Sequence, residues 1–227
     1  MNTGFPFESQ PLLTLKDEDK LNEARRMKHP HGWSRQIRPL HEPGEFITKS
    51  VLQADPLAME IGCGHGNFME KTARENPDCH YIGIENVHLF AVTAAERVEK
   101  AGLTNVLILN QDANRVLQEI MPENSLDKIY IMYPDPWPKN RHEKRRLIRK
   151  STYTRYNEVL KPNGIIDIWT DAPAWVDLSL PYLEKLPGNV SKEEVSEDIS
   201  KLRTLFERKA KSKQHPIFHI EYRKPAK

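Results

Sequence analysis

The chain has 227 residues, with 34 Lys and Arg against 32 Asp and Glu, for a formal net charge of +2. That length suits one domain, or one domain with arms, and buries enough surface to fold without disulfides or a structural metal. Two cysteines, Cys63 and Cys79, make no framework and no C-x-x-C pair, so a reducing cytoplasmic setting and no metal site are expected. The longest apolar runs, Val106 to Leu109 and Ile129 to Tyr133, fall far short of the roughly 18 residues that cross a bilayer, and Met1 to Pro6 opens no secretion signal.

Residues 1–55 carry Pro6, Pro11, Pro30, Pro39 and Pro43 with little apolar periodicity, which predicts an N-terminal arm rather than core. Arg25, Arg26, Lys28, Arg35 and Arg38 make the arm basic, with no acid between Arg25 and Arg38. From residue 56 to 227 a second pattern takes over. Apolar runs at Leu57–Ile61, His80–Ile84, Val106–Leu109, Lys128–Tyr133 and Ile165–Trp169 predict buried strands. Helical stretches at Asn67–Asn76, Val87–Ala101, Ala113–Met121 and Glu143–Leu160 lie between them, with Pro77, Gly102, Pro122 and Lys161-Pro162-Asn163-Gly164 as stops. The tail adds a cationic helix start at Lys201–Lys213 and a last strand at Ile217–Tyr222. Strict alternation of near-continuously apolar strands with helices predicts a doubly wound α/β fold: a mostly parallel Rossmann-like sheet, helices on both faces, and a C-terminal antiparallel strand.

Ligands of such sheets bind beyond the carboxyl ends of the strands. There the chain places Glu60-Ile61-Gly62-Cys63-Gly64-His65-Gly66, then Glu85, then Asp112. A dinucleotide enzyme would want G-x-G-x-x-G, but the third glycine here comes one residue early and no side chain waits for a phosphate. Glycines serving only a tight turn would explain Gly62 but not the recurring carboxylates. An S-adenosylmethionine pocket explains both, because a sulfonium, an amino group, a ribose diol and an adenine amine call for carboxylates and backbone acceptors. On that reading Glu60 serves the amino acid end, Glu85 the ribose and Asp112 the adenine edge, with Gly62, Gly64 and Gly66 forming the cradle.

After the fourth strand stands Tyr133-Pro134-Asp135-Pro136-Trp137-Pro138-Lys139, whose prolines hold Asp135 at the mouth of the sheet. From Lys139 to Lys150 there are seven Lys or Arg and a single acid, Glu143. Arg141, Lys144, Arg145 and Arg146 are the candidate RNA-phosphate contacts. A third basic cluster, Arg208, Lys209, Lys211 and Lys213, completes cationic surroundings for an acidic pocket, which suggests a polyanion at its mouth.

The sequence resembles the tRNA (guanine-N7)-methyltransferases of the class I S-adenosylmethionine-dependent fold. The likeness rests on Glu60-Ile61-Gly62-x-Gly64-x-Gly66, Gly83-Ile84-Glu85, Pro134-Asp135-Pro136-Trp137-x-Lys139-x-Arg141-His142-x-Lys144-Arg145-Arg146, Thr170-Asp171 and Thr204-x-Phe206-Glu207, and runs from about Leu57 to Tyr222. It implies that Glu60, Glu85, Asp112 and Asp135 line the cofactor site and that Lys139, Asp171, Thr204 and Glu207 bind substrate; Asp135 is also the expected catalytic carboxylate, which stabilises the charge moving onto the purine or orients the base. The resemblance implies a tRNA partner, and a monomer or homodimer with no obligate protein partner and no membrane. The chain departs from the family where Trp175 replaces a common Tyr and where Arg208-Lys209-Ala210 replaces an arginine-glycine. Other classes would be an exocyclic-amine methyltransferase, which favours a Pro-Pro-Tyr loop over Pro136-Trp137, and a noncatalytic RNA-binding module, which would not need Glu60, Glu85 and Asp112.

Overall fold

A computed structural model describes residues 37–39, 52–134, 150–195 and 215–226. In chain order the elements are β1 (Ile37–Pro39), β2 (Leu57–Ile61), α1 (Asn67–Glu75), β3 (His80–Glu85), α2 (His88–Lys100), β4 (Val106–Asn110) and α3 (Ala113–Glu119). They continue with β5 (Leu126–Met132), α4 (Lys150–Val159), β6 (Leu160–Thr170), α5 (Pro173–Leu183), β7 (Asn189–Glu194) and β8 (Phe218–Arg223). The eight strands form one sheet in the order β1-β4-β3-β2-β5-β6-β8-β7. Strands β1 to β6 pair in parallel, and β8 runs antiparallel to both β6 and β7.

The expected strands and their alternation with helices are present, and their causes are local. Every residue of β2 and β3 is buried, because these central strands are covered on both faces. Helix α1 stops at Asn76, where Pro77 cannot continue it. Helix α2 ends in a Schellman motif: the Gly102 amide donates to Glu99 O (2.9 Å) and the Leu103 amide to Val98 O (3.2 Å). Asp112 caps α3, accepting from the Asn114 and Arg115 amides.

Two apolar layers sandwich the sheet. Leu57, Met59, Ile61, Ile82, Ile84, Leu107 and Leu109 face one way and pack with residues of α3, α4 and α5. Ala58, Tyr81, Val106, Ile108, Tyr130 and Met132 face the other way and pack with α1 and α2. This period-two division is what buried strands require.

Four features depart from the expected pattern. Ile37–Pro39, within the segment expected to be an arm, pairs with Ile108–Asn110 and adds an edge strand. Helix α5 was not apparent because prolines at 173 and 181 interrupt its pattern. Strand β7 is polar on both faces, as an edge strand can be, and so shows no alternation. Lys161–Gly164, expected to be a stop, lies inside β6: pairing with β5 jumps from Leu126↔Leu160 to Lys128↔Ile165, so these four residues leave the ladder while the strand continues. The cationic stretch Lys201–Lys213 and residues 143–149 of the expected long helix lie outside the described residues.

Candidate cofactor and substrate site

Strand order reverses at β2, with β3 and β4 on one side and β5 and β6 on the other. A crevice opens at such a switch point, beyond the carboxyl ends of the strands. The loop after β2 lies there. Gly62 and Gly64 have φ of 75° and 53°, and a Cβ built on either would meet no atom within 4 Å. A side chain there would be strained and would fill open space beside the backbone. Gly66 has a different reason: its Cβ would lie 3.0 Å from Ala94, so glycine lets α1 begin against α2.

Backbone and side chains hold this loop to its neighbours. The Gly62 and Cys63 amides donate to Ile84 O at 2.8 and 3.0 Å. Glu85 ties the loops after β2 and β3: its Oε2 accepts from the Gly64 amide (2.9 Å) and its Oε1 from the Val87 amide (2.8 Å). A carboxylate offers about four lone-pair sites, so each oxygen retains capacity for a further donor such as a diol. Arg97 of α2 donates to His65 O (2.8 Å) and pairs with Glu70, which holds the loop from outside.

Glu60, near the end of β2, is 2% exposed and its Oε2 has no hydrogen-bond partner. Burial, with the charge of Glu85 added, pushes its carboxyl well above the ordinary carboxylate range. Among the described residues no ion pair reaches Glu60 or Glu85. Two buried acids without a cation, below a loop with open space beside its glycines, suit a cationic ligand carrying hydroxyls. S-adenosylmethionine fits that requirement: Glu60 faces the need for positive charge, Glu85 offers acceptors, and Asp112 stands exposed at the neighbouring strand tip. Cys63 is a packing residue here: its buried thiol lies under Gly83, whose Cβ would come 3.2 Å from Sγ, and burial with the nearby carboxylates pushes its pKa up.

The structure therefore brings together Glu60, Gly62, Gly64, Gly66, Glu85 and Asp112 at adjacent strand ends. On the other side of the switch point, Tyr133 leaves β5 with φ 51° and leads to Pro134. Asp171 follows β6, its carboxylate 3.7 Å from His215 Nδ1. Asp135, Lys139, Arg141, Lys144, Arg145, Arg146, Thr204 and Glu207 lie outside the described residues. Trp175 does not face the crevice, since it is 1% exposed within the core layer beneath α5.

One contributor was missed in the sequence. Asn110 donates from Nδ2 to Glu85 O (2.8 Å), and its Oδ1 meets His88 Nδ1 (2.9 Å), so it ties the tips of β3 and β4. Its only sequence signal was its place at a strand end two residues before Asp112. Among the described residues no group of His, Cys, Asp or Glu could hold a metal, and no helix is long and apolar enough to cross a membrane.

Comparisons with known proteins agree with this geometry. A family described as "Putative methyltransferase" matches residues 54–220. The tRNA (guanine-N(7)-)-methyltransferase of Bacillus velezensis is 35% identical over 173 residues, covering 74% of this chain and 78% of the relative. That of Bacillus licheniformis is 34% identical over 189 residues, covering 80% and 88%. Among solved structures, an antibiotic-related methyltransferase superposes with a TM-score of 0.59 at 19% identity, covering 82% of this chain and 96% of that one. The tRNA (m1A58) methyltransferase of Aquifex aeolicus does so with a TM-score of 0.52 at 16% identity, covering 82% and 69%. These two show the fold, and the closer relatives show more: with its acid-lined glycine loop at the switch point of a methyltransferase sheet, the chain belongs to the tRNA (guanine-N7)-methyltransferase family.

Proposed function

We propose that this chain transfers the methyl group of S-adenosylmethionine to N7 of a guanosine in the variable loop of tRNA. The observation that carries the reading is the buried Glu60 and Glu85 pair, without a described counter-cation, beneath the open glycine loop. S-adenosylmethionine supplies an electrophilic methyl group on a sulfonium. Glu60 offsets positive charge at the amino acid end, Glu85 accepts from the ribose hydroxyls while holding the Gly64 and Val87 amides, and Asp112 accepts at the adenine edge.

Guanine N7 already carries an exposed lone pair, so the protein need not remove a proton before transfer. Its task is alignment, a contribution of about 7–11 kcal/mol in well-oriented systems. Asp135, which has a proline on either side in the sequence, orients the base or stabilises the charge that arrives on the purine. Asp171 and Glu207 accept from the Watson–Crick edge, which favours guanine because adenine lacks the N1–H donor. Lys139 and Thr204 complete the substrate side, and Arg141, Lys144, Arg145 and Arg146 place tRNA phosphates.

The test is incubation of unmodified tRNA with methyl-labelled cofactor, followed by mapping of the modified nucleoside. The expected product is 7-methylguanosine at one variable-loop position; label on an exocyclic amine would overturn the reading. Asp135→Ala is expected to lower kcat by about 10²–10³-fold, the usual effect of removing one electrostatic contact to a transition state, with little change in tRNA affinity. Undiminished turnover would remove Asp135 from the mechanism. Replacing Arg145 and Arg146 by Ala is expected to weaken tRNA binding and to reduce the slope of log affinity against log salt by about one per arginine. An unchanged slope would move the RNA platform elsewhere.

A further inference from the structure

Beyond the cofactor crevice, a chain of polar side chains crosses one face of the sheet over four strands. Lys128 on β5 pairs with Asp167 on β6, Asp167 Oδ1 lies 3.0 Å from His219 Nε2 on β8, and His219 Nδ1 lies 2.9 Å from Glu193 Oε1 on β7. Neutral imidazole has one N–H, yet both ring nitrogens here face carboxylate oxygens, so the imidazolium satisfies both contacts. The same ring stacks on Trp169, its partner across the β6–β8 ladder, with centroids 4.3 Å apart and planes 19° apart. The Trp169 indole N–H donates to Asp167 Oδ1 at 2.8 Å.

Trp169 lies at the carboxyl end of β6, beside the exit of β5. It precedes Thr170-Asp171 directly, and its carbonyl accepts the Tyr133 amide at 2.7 Å, where the chain leaves β5 toward Pro134 and Asp135. The Trp169 backbone thus joins the end of β6 to the exit of β5, and its indole is held by ring stacking and a buried carboxylate.

We propose that His219 is a positioning residue for methyl transfer: by stacking on Trp169 and bridging Asp167 to Glu193, it fixes the tip of β6 and the exit of β5 in one arrangement. The proposal rests on the function given above. Its consequence is pH-dependent. The charged groups facing His219 are Asp167 from β6, with Lys128 from β5 behind it, and Glu193 from β7, while Glu221 precedes Arg223 on its own strand. Burial opposes the imidazolium, but hydrogen bonds to Asp167 and Glu193 outweigh it and hold the imidazole above its ordinary value. A group so raised contributes fully below its unfolded value, about 6.5, and its contribution is lost as pH rises through the higher folded value. Ordering of Trp169, and with it kcat, should fall along that alkaline limb.

The experiment uses the full chain, a tRNA transcript and labelled S-adenosylmethionine, with kcat and both KM values measured from about pH 6 to 9.5 alongside thermal unfolding. His219→Phe keeps a ring against Trp169 but makes neither hydrogen bond. It is expected to lower kcat about tenfold, to lose the alkaline limb, and to leave KM for the cofactor within about twofold. His219→Gln, which can donate to one carboxylate, is expected to fall between and to decide the matter should the Phe variant not fold. Wild-type kcat with an intact alkaline limb in a variant, or parallel losses of kcat and cofactor affinity with a lowered unfolding temperature, would overturn the positioning role. A wild-type protein that binds S-adenosylhomocysteine but methylates no tRNA would instead overturn the tRNA reading, and this proposal with it.

Discussion

Glu85→Gln is expected to weaken S-adenosylhomocysteine binding by about 10²-fold, nearly as much as Glu85→Ala, although the change leaves the shape of the side chain intact. In the native site both oxygens accept backbone amides, from Gly64 at 2.9 Å and Val87 at 2.8 Å. A glutamine has one oxygen and one NH₂ group, so one of those amides must face another donor. Both amides are part-buried in the free protein, so leaving one without its acceptor costs about 1–3 kcal/mol once a bound ligand excludes water, and each 1.4 kcal/mol is about tenfold in affinity. The Ala variant orphans both amides and releases the glycine loop from the tip of β3. Calorimetric titration with S-adenosylhomocysteine measures the effect directly. Native affinity in the Gln variant would mean that Glu85 neither organises the loop nor meets the ligand.

The second large effect concerns Trp175. It stands shortly after Thr170-Asp171, where the family commonly has a Tyr, and its side chain is 1% exposed in the core layer with Val176, Leu183 and Tyr222. Trp175→Ala is therefore expected to destabilise the fold by about 3–5 kcal/mol, the usual consequence of emptying a large aromatic site. For a chain of this size that corresponds to a fall in unfolding temperature of roughly 10 °C, at about 2–4 °C per kcal/mol. Trp175→Tyr, which leaves a smaller void, should lose only part of this and keep its affinity for tRNA. Loss of tRNA affinity at an unchanged unfolding temperature would assign Trp175 a part in substrate binding instead.

These two residues differ in how much of their placement the sequence discloses. Glu85 was legible because a carboxylate about 20 residues beyond a glycine loop has a chemical reason to be there, and because strand alternation places both at one end of a parallel sheet. The same logic located Glu60, Gly62, Gly64, Gly66 and Asp112. The burial of Trp175 was not legible because proximity to Thr170-Asp171 along the chain does not say which way a helix turns its side chains. Prolines at both ends of α5 also hid the period that would have shown its buried face.

The sequence by itself determined the α/β class, most strand and helix positions and the set of acids at the strand tips, because these follow from local periodicity, turn chemistry and the parallel-sheet rule. Only the tertiary structure decided how those groups are wired. That Glu85 spends both oxygens on backbone amides, that Asn110 joins two loops, and that Lys128, Asp167, His219 and Glu193 form one chain across β5, β6, β8 and β7 all depend on strand order and register. His219 lies 52 residues from Asp167. No local pattern links residues so far apart, and it is the antiparallel return of β8 beside β6 that brings them into hydrogen-bond range.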